Sequence, residues 1–176
     1  MQQGGAFVNK LTGIIEEAVT GKRLETLISP VRHSDLKLLL KKNGWKFNWR
    51  KEYNTGSREV YKLLTKGDAN IQGIISIESL PEQLYTELHL IESAPHNYGK
   101  SKKYIGVPGN LVAFACIKSF EMGFEGFVGF VAKSRLIQHY IDTLGAEMAF
   151  RNRMLISTKS AKKLVNSYYK DFFHEA

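Results

Sequence analysis

Apolar positions recur along the chain with two different periods, and the change from one to the other marks its elements. Near the amino terminus Phe7, Leu11, Ile14, Ile15 and Ala18 fall at helical spacing and Gly21 offers a stop, predicting a helical extension over about residues 1–24. ETLISPV, residues 25–31, reads as a strand. SDLKLLLKKNG predicts a helix, with Ser34 as N-cap, Leu36, Leu39 and Leu40 on one face and Gly44 beyond the end. In WKFNW, Trp45, Phe47 and Trp49 alternate, which suits a short strand or a loop packed on the core.

Three strand-like runs come after these, EVYKLLTKG, IQGIISIES and LYTELHLIES, parted by Gly67-Asp68 and Pro81; links this short imply antiparallel neighbours. Beyond them lie an apolar helix opened by YIGVPGNL and ending at Gly123, a strand at GFVGFVA and a helix at SRLIQHYIDTLG. A single strand around MAFRNRMLIS and a last helix carrying Ala161, Leu164, Val165, Tyr168 and Phe172 close the chain. An antiparallel meander leading into alternating strands and helices predicts one α/β or α+β layered domain over residues 1–176. Its sheet is mixed and mostly antiparallel, with helices on both faces.

Composition narrows the function classes. The hydrophobic and charged fractions, 43% and 24%, are those of an ordinary globular protein. Runs such as LVAFACI fall far short of the roughly 20 residues that cross a bilayer, and MQQGGAFVNK lacks the basic-then-apolar order of a secretory signal. The lone Cys116 has no disulfide partner and sits in an apolar run, so a packed thiol in a reducing compartment is expected. A cytoplasmic protein without a membrane partner is the expectation. The net charge of +8 is spread from Lys10 to Lys170, with short clusters at Lys41-Lys42, around Lys100, Lys102 and Lys103, and at Lys162-Lys163. None is the long, aromatic-interleaved basic tract of a dedicated nucleic-acid binder, so nucleic acid is not the favoured principal partner. His33, His89, His96, His139 and His174 show no ligand spacing, and no metal site is expected.

The segment LHLIESAPHNYGKSKKYIGVPGNL is a strand, a polar loop and a helix start. Unpaired amides at such a start, together with the helix dipole, favour an anion. The run resembles the GNAT superfamily of acyl-CoA-dependent N-acyltransferases over about residues 58–157. Lys103-x-x-Gly106-x-Pro108 occupies the place of the family's Arg/Gln-x-x-Gly-x-Gly/Ala element. IESAPHN (Ile91–Asn97) before Tyr104-Ile-Gly-Val matches a subgroup's stretch, and GFVGFVA leading to AKSRLIQHYIDTLGAE is similar to the family's strand–helix–LGA unit.

The resemblance implies acetyl-CoA as cosubstrate, direct transfer of its acetyl group to an amine, and a cleft where two strands splay. It places the pantetheine arm along Leu90, Ile91 and Glu92. The pyrophosphate falls on the turn through Gly106, Val107, Gly109, Asn110 and Leu111, with Lys103 beside it and Lys133 and Ser134 toward the adenosine end. Pro108, taken as the first helical residue, withdraws one amide, and Gly109 permits close approach of a ligand. Glu92 is the candidate base, while alternation sends Glu87 and His89 to the other face of the strand. Tyr140, five residues before Gly145, is the candidate acid for the departing thiolate. A non-catalytic module on the same fold, and a basic RNA-binding domain, are the alternatives. A homodimer is compatible with either activity, and the acceptor amine is not legible.

Overall fold

The computed structural model describes residues 12–173. Strands β1 (Gly13–Glu17), β2 (Arg23–Pro30), β3 (Glu59–Thr65), β4 (Gly73–Leu80) and β5 (Tyr85–Ser93) are successive antiparallel neighbours, joined by short links except between β2 and β3, where residues 31–58 intervene. β6 (Tyr104–Ile105) returns to pair with β1 at the far edge, and β7 (Val128–Val131) lies parallel to β5. β8 (Glu147–Phe150) and β9 (Arg153–Ile156) complete one sheet in the order β6-β1-β2-β3-β4-β5-β7-β9-β8. The mixed, mostly antiparallel layered fold expected from the pattern is the observed one.

Helices cover both faces. On one, α1 (Trp49–Asn54) and two 3₁₀ turns, His33–Leu38 and Lys41–Asn43, bury Leu36, Leu39, Trp45 and Trp49 against Val60 and Ile74. On the other, α2 (Val107–Glu121), α3 (Ile137–Leu144) and α4 (Thr158–Tyr168) enclose the larger core, with Leu111, Phe114 and Val165 packed on Leu63, Ile75 and Ile77.

Three local expectations are corrected. Residues 13–17, read as part of a helix, form β1, because strands on both sides supply its backbone partners. Phe7 and Leu11 lie outside the described residues. SDLKLLLKKNG forms the two 3₁₀ turns rather than an α-helix. Arg32, not Ser34, is its N-cap: the Asp35 carboxylate accepts the Arg32 N–H at 2.7 Å, and Leu36 and Leu39 share the buried side at a three-residue period. MAFRNRMLIS is a hairpin, β8–β9, that turns through Arg151 at φ 54°.

Two irregularities shape the site. Beyond Thr86↔Val128 and Glu87↔Gly129 no ladder pair joins β5 to β7, so the two strands part. In the β4–β5 ladder Ser76 faces Leu90 and Ile77 faces Leu88, leaving His89 as an extra, unopposed residue. Such a bulge reverses the inward–outward sense of a strand beyond it. Leu88 therefore belongs to the core under α2, whereas Leu90 packs beside Trp45 and Trp49.

Candidate active site

A cavity of about 270 Å³ opens where β5 and β7 separate, and it runs through the sheet. Val112 of α2 lines it on one side and Phe47 on the other. Its walls are Leu88, His89, Leu90 and Ile91 of β5, Phe130 and Val131 of β7, then Lys133, Leu136, Tyr140 and Leu144. Four expected site residues, Leu90, Ile91, Lys133 and Tyr140, are thus brought to one cavity. Ser134 is exposed at the start of the 3₁₀ turn Ser134–Leu136.

Tyr140 reaches the cavity from α3, its ring set edge-on to Phe130 at 5.3 Å between centroids. Burial raises its phenol above the ordinary tyrosine range, so it is a proton carrier at neutral pH. Tyr98, from the loop after β5, stands nearby. Burial, together with the Glu92 carboxylate and Tyr140, raises its phenol too, and Lys46 Nζ lies 4.7 Å from its ring centre.

His89 lies on the same face as Glu92, contrary to simple alternation. The bulge supplies the missing step, and the His89 Nε2 then meets Glu78 Oε1 at 2.8 Å. Glu87 shares that face and holds Arg153, with 2.6 Å between Oε2 and Nη2. Glu92 is buried, and its carboxylate accepts the backbone N–H groups of Lys46 at 2.6 Å and Phe47 at 3.2 Å, plus the Trp49 indole N–H at 2.8 Å. It thereby anchors the segment that delivers Phe47 to the cavity.

The helix start differs in detail from its expected form. Gly106, at φ 94°, is the N-cap of α2, which makes Val107 the first helical residue and Pro108 the second. The Asn110 N–H already donates to Gly106 O at 2.9 Å, so Val107 and Gly109 are the helical residues that offer amides before that bond. Pro108 is exposed one turn before Val112, on the side of the cavity. Gly109 faces elsewhere: a Cβ there would lie 2.1 Å from the Tyr168 hydroxyl oxygen, so the close approach it permits is that of α4. Val107 and Leu111 pack toward Gly73. The buried Asn110 side chain donates to Ile14 O and Thr26 Oγ1 and accepts from the Tyr169 hydroxyl at 2.6 Å. Lys103 lies 5.3 Å from the Tyr104 ring centre and lines a separate groove beside His96.

His89 was legible as a residue, though its face was not; Phe47 and Tyr98 gave no signal beyond their aromatic character. Among the described residues no cluster of His, Cys, Asp and Glu could hold a metal, and no helix is long and apolar enough to cross a membrane.

No family model and no curated protein matches the chain. Solved structures do. The chain is similar to the AtaTR complex bound with acetyl-CoA at 15% identity and TM-score 0.56, over 79% of this chain and 97% of that one. It is also similar to the spermidine/spermine N-acetyltransferase SpeG of Vibrio cholerae at 14% identity and TM-score 0.55, over 78% and 96%. A third likeness, at 16% identity and TM-score 0.56, is to the AtaT–AtaR complex bound to DNA, over 78% and 97%. The chain has the GNAT acetyltransferase fold.

Proposed function

We propose that the protein is an N-acetyltransferase that takes its acetyl group from acetyl-CoA. The observation that carries this is the open edge of β5 from Leu88 to Ser93, facing a cavity that also holds Tyr140. An unpaired strand edge accepts an extended amide-bearing chain as a further strand would, and the pantetheine arm has two amides. The cavity's apolar walls suit that arm, and the Val107 and Gly109 amides with Lys133 suit its anionic end. Acetyl-CoA supplies an activated thioester carbonyl. Solved structures of the same fold hold it, which supports this choice of donor.

The chain's residues divide the remaining work. His89, oriented by Glu78, takes the proton that the acceptor amine loses, because it faces the cavity with its imidazole held at Nε2. Tyr140 gives a proton to the sulfur as the carbon–sulfur bond breaks. The Glu92 carboxylate, its oxygens engaged by three donors, positions Phe47 rather than moving protons. The test is calorimetric titration of the purified protein with CoA, then thiol release from acetyl-CoA on adding amines. CoA binding with turnover is expected. CoA binding without turnover on any amine would favour the non-catalytic module.

A further inference from the structure

One primary amine of the chain is tethered beside the cavity. The Lys46 backbone N–H donates to Glu92 Oε2 at 2.6 Å, which fixes the base of the side chain to the end of β5. Its Nζ rests 4.7 Å from the centre of the Tyr98 ring, and among the described residues it is in no ion pair. The next residue, Phe47, lines the cavity, and Tyr98 stands close enough to Tyr140 for the charge of one phenol to bear on the other. Both the backbone that carries the ammonium and the ring that holds it thus lie beside the cavity. Lys62, also on this face of the sheet, is held instead by Asp35 at 2.8 Å.

The side of approach matters as much as the nearness. The amides of Val107 and Gly109 suit the anionic end of acetyl-CoA on the α2 side of the sheet, so an amine reaches the thioester from the Phe47 side, where His89 also lies. Lys46 is on that side. Lys133, which lines the cavity as well, follows β7 and belongs with the cosubstrate's anionic end. An exposed cation resting on an exposed ring is weakly held, and a lysine ammonium sweeps a radius of roughly 6 Å about its Cα. We propose that the chain acetylates its own Lys46 when acetyl-CoA is bound and no acceptor occupies the cavity. This rests on the acetyltransferase activity proposed for the same cavity. The Lys46 ammonium gives up two protons, one through His89 to water and one balanced by the proton that Tyr140 gives to sulfur. The new nitrogen–carbon bond forms as the carbon–sulfur bond breaks, leaving Nε-acetyl-lysine at position 46 and free CoA. The modified side chain has lost the charge that rests on Tyr98.

The test incubates the full chain with acetyl-CoA and no amine, and follows acetylation by intact mass and peptide mapping. The expected result is a gain of about 42 Da, one acetyl group replacing one proton, mapped to Lys46. Its first-order rate constant should be unchanged on dilution of the protein, because the amine and the cavity belong to one chain. Tyr140→Phe should slow it about 100-fold, as a lost proton donor would. Lys46→Arg keeps a cation over Tyr98 and the N–H on Glu92, so it should abolish the gain and leave calorimetric CoA affinity unchanged. The chain unfolded in urea gives the rate of chemical acetylation by acetyl-CoA alone. Acetylation at Lys133 or spread over many lysines, a rate constant that rises with protein concentration or equals that of the unfolded chain, or no gain in a chain that binds CoA would overturn the proposal. Thiol release on adding amines would still stand as the measure of the acetyltransferase activity. Absence of CoA binding would overturn that activity itself.

Discussion

Oε1 of Glu92 accepts the indole N–H of Trp49 at 2.8 Å, joining residues 43 positions apart across the buried edge of the cleft. With the Lys46 and Phe47 amides on the same carboxylate, this fixes a loop with no ladder of its own. Glu92→Gln turns one acceptor oxygen into a donor facing donors. A loss of about 3 kcal/mol is expected, since buried hydrogen bonds to a charged acceptor are costly to leave unmade. Urea unfolding monitored by tryptophan fluorescence reads it directly.

Tyr140→Phe keeps the ring against Phe130 and removes the hydroxyl. Thiol release should fall about 100-fold in kcat, with calorimetric CoA affinity changed less than about twofold. Because burial raises this phenol, its loss of a proton in the wild type should appear as an alkaline fall in kcat above pH ~10, and not below it. A fall centred near neutrality would assign that limb to another group.

His89→Ala should lower kcat/KM at pH 7 by about 100-fold, the usual range for a positioned base. The deficit should shrink as the pH rises past the amine's own titration, where the amine arrives already neutral and only the proton shed on forming the amide bond is left to remove. A pH-independent deficit would point to a positioning role. Glu78→Gln, which spares the ring and weakens its orientation, should give a smaller loss of the same shape.

Gly109→Ala forces the Tyr168 ring aside, because the added carbon falls 2.1 Å from its hydroxyl oxygen. Overpacking of this kind costs about 2 kcal/mol. In a Tyr168→Ala background the same change should cost almost nothing, so a double-mutant cycle by thermal unfolding should show strong coupling. Additive effects would mean that α4 leaves the turn free.

Stability should fall steadily above pH ~9–10. Tyr61, Tyr169 and Cys116 are pushed upward chiefly by burial, so in that window the unfolded chain releases protons that the folded one keeps. Their contribution is complete below the unfolded values of 9.0 and 10.0 and diminishes as pH rises through them. Tyr169→Phe should flatten the slope of unfolding free energy against pH, at the cost of an unmet acceptor on Asn110.

Much of the layered fold was legible because hairpins and helices announce themselves locally. β3, β4 and β5 alternate and are cut by turn residues, and α2 has an apolar run between Gly106 and Gly123. The lining of the cleft by Leu90, Ile91 and Tyr140 was legible from the order of elements and the motifs around them. What escaped was non-local or a matter of counting. LHLIES reads as regular alternation whether or not one residue is extra, so the face of His89 was hidden until the β4 register was known. The partners of Glu92 lie more than 40 positions away, and the residue that fills the space over Gly109 comes from the last helix.

The extra residue in β5 also bears on how such a protein could diversify. Ile91 and Leu88 are tied to the core beneath α2, and Leu90 to the aromatic cluster opposite, so their identities answer to packing. His89 answers to neither: no residue of β4 opposes it in the ladder, and its ring is met instead by the Glu78 carboxylate. A lineage could exchange the side chain at that position, and with it the chemistry offered at the cavity, without rebuilding either layer around it.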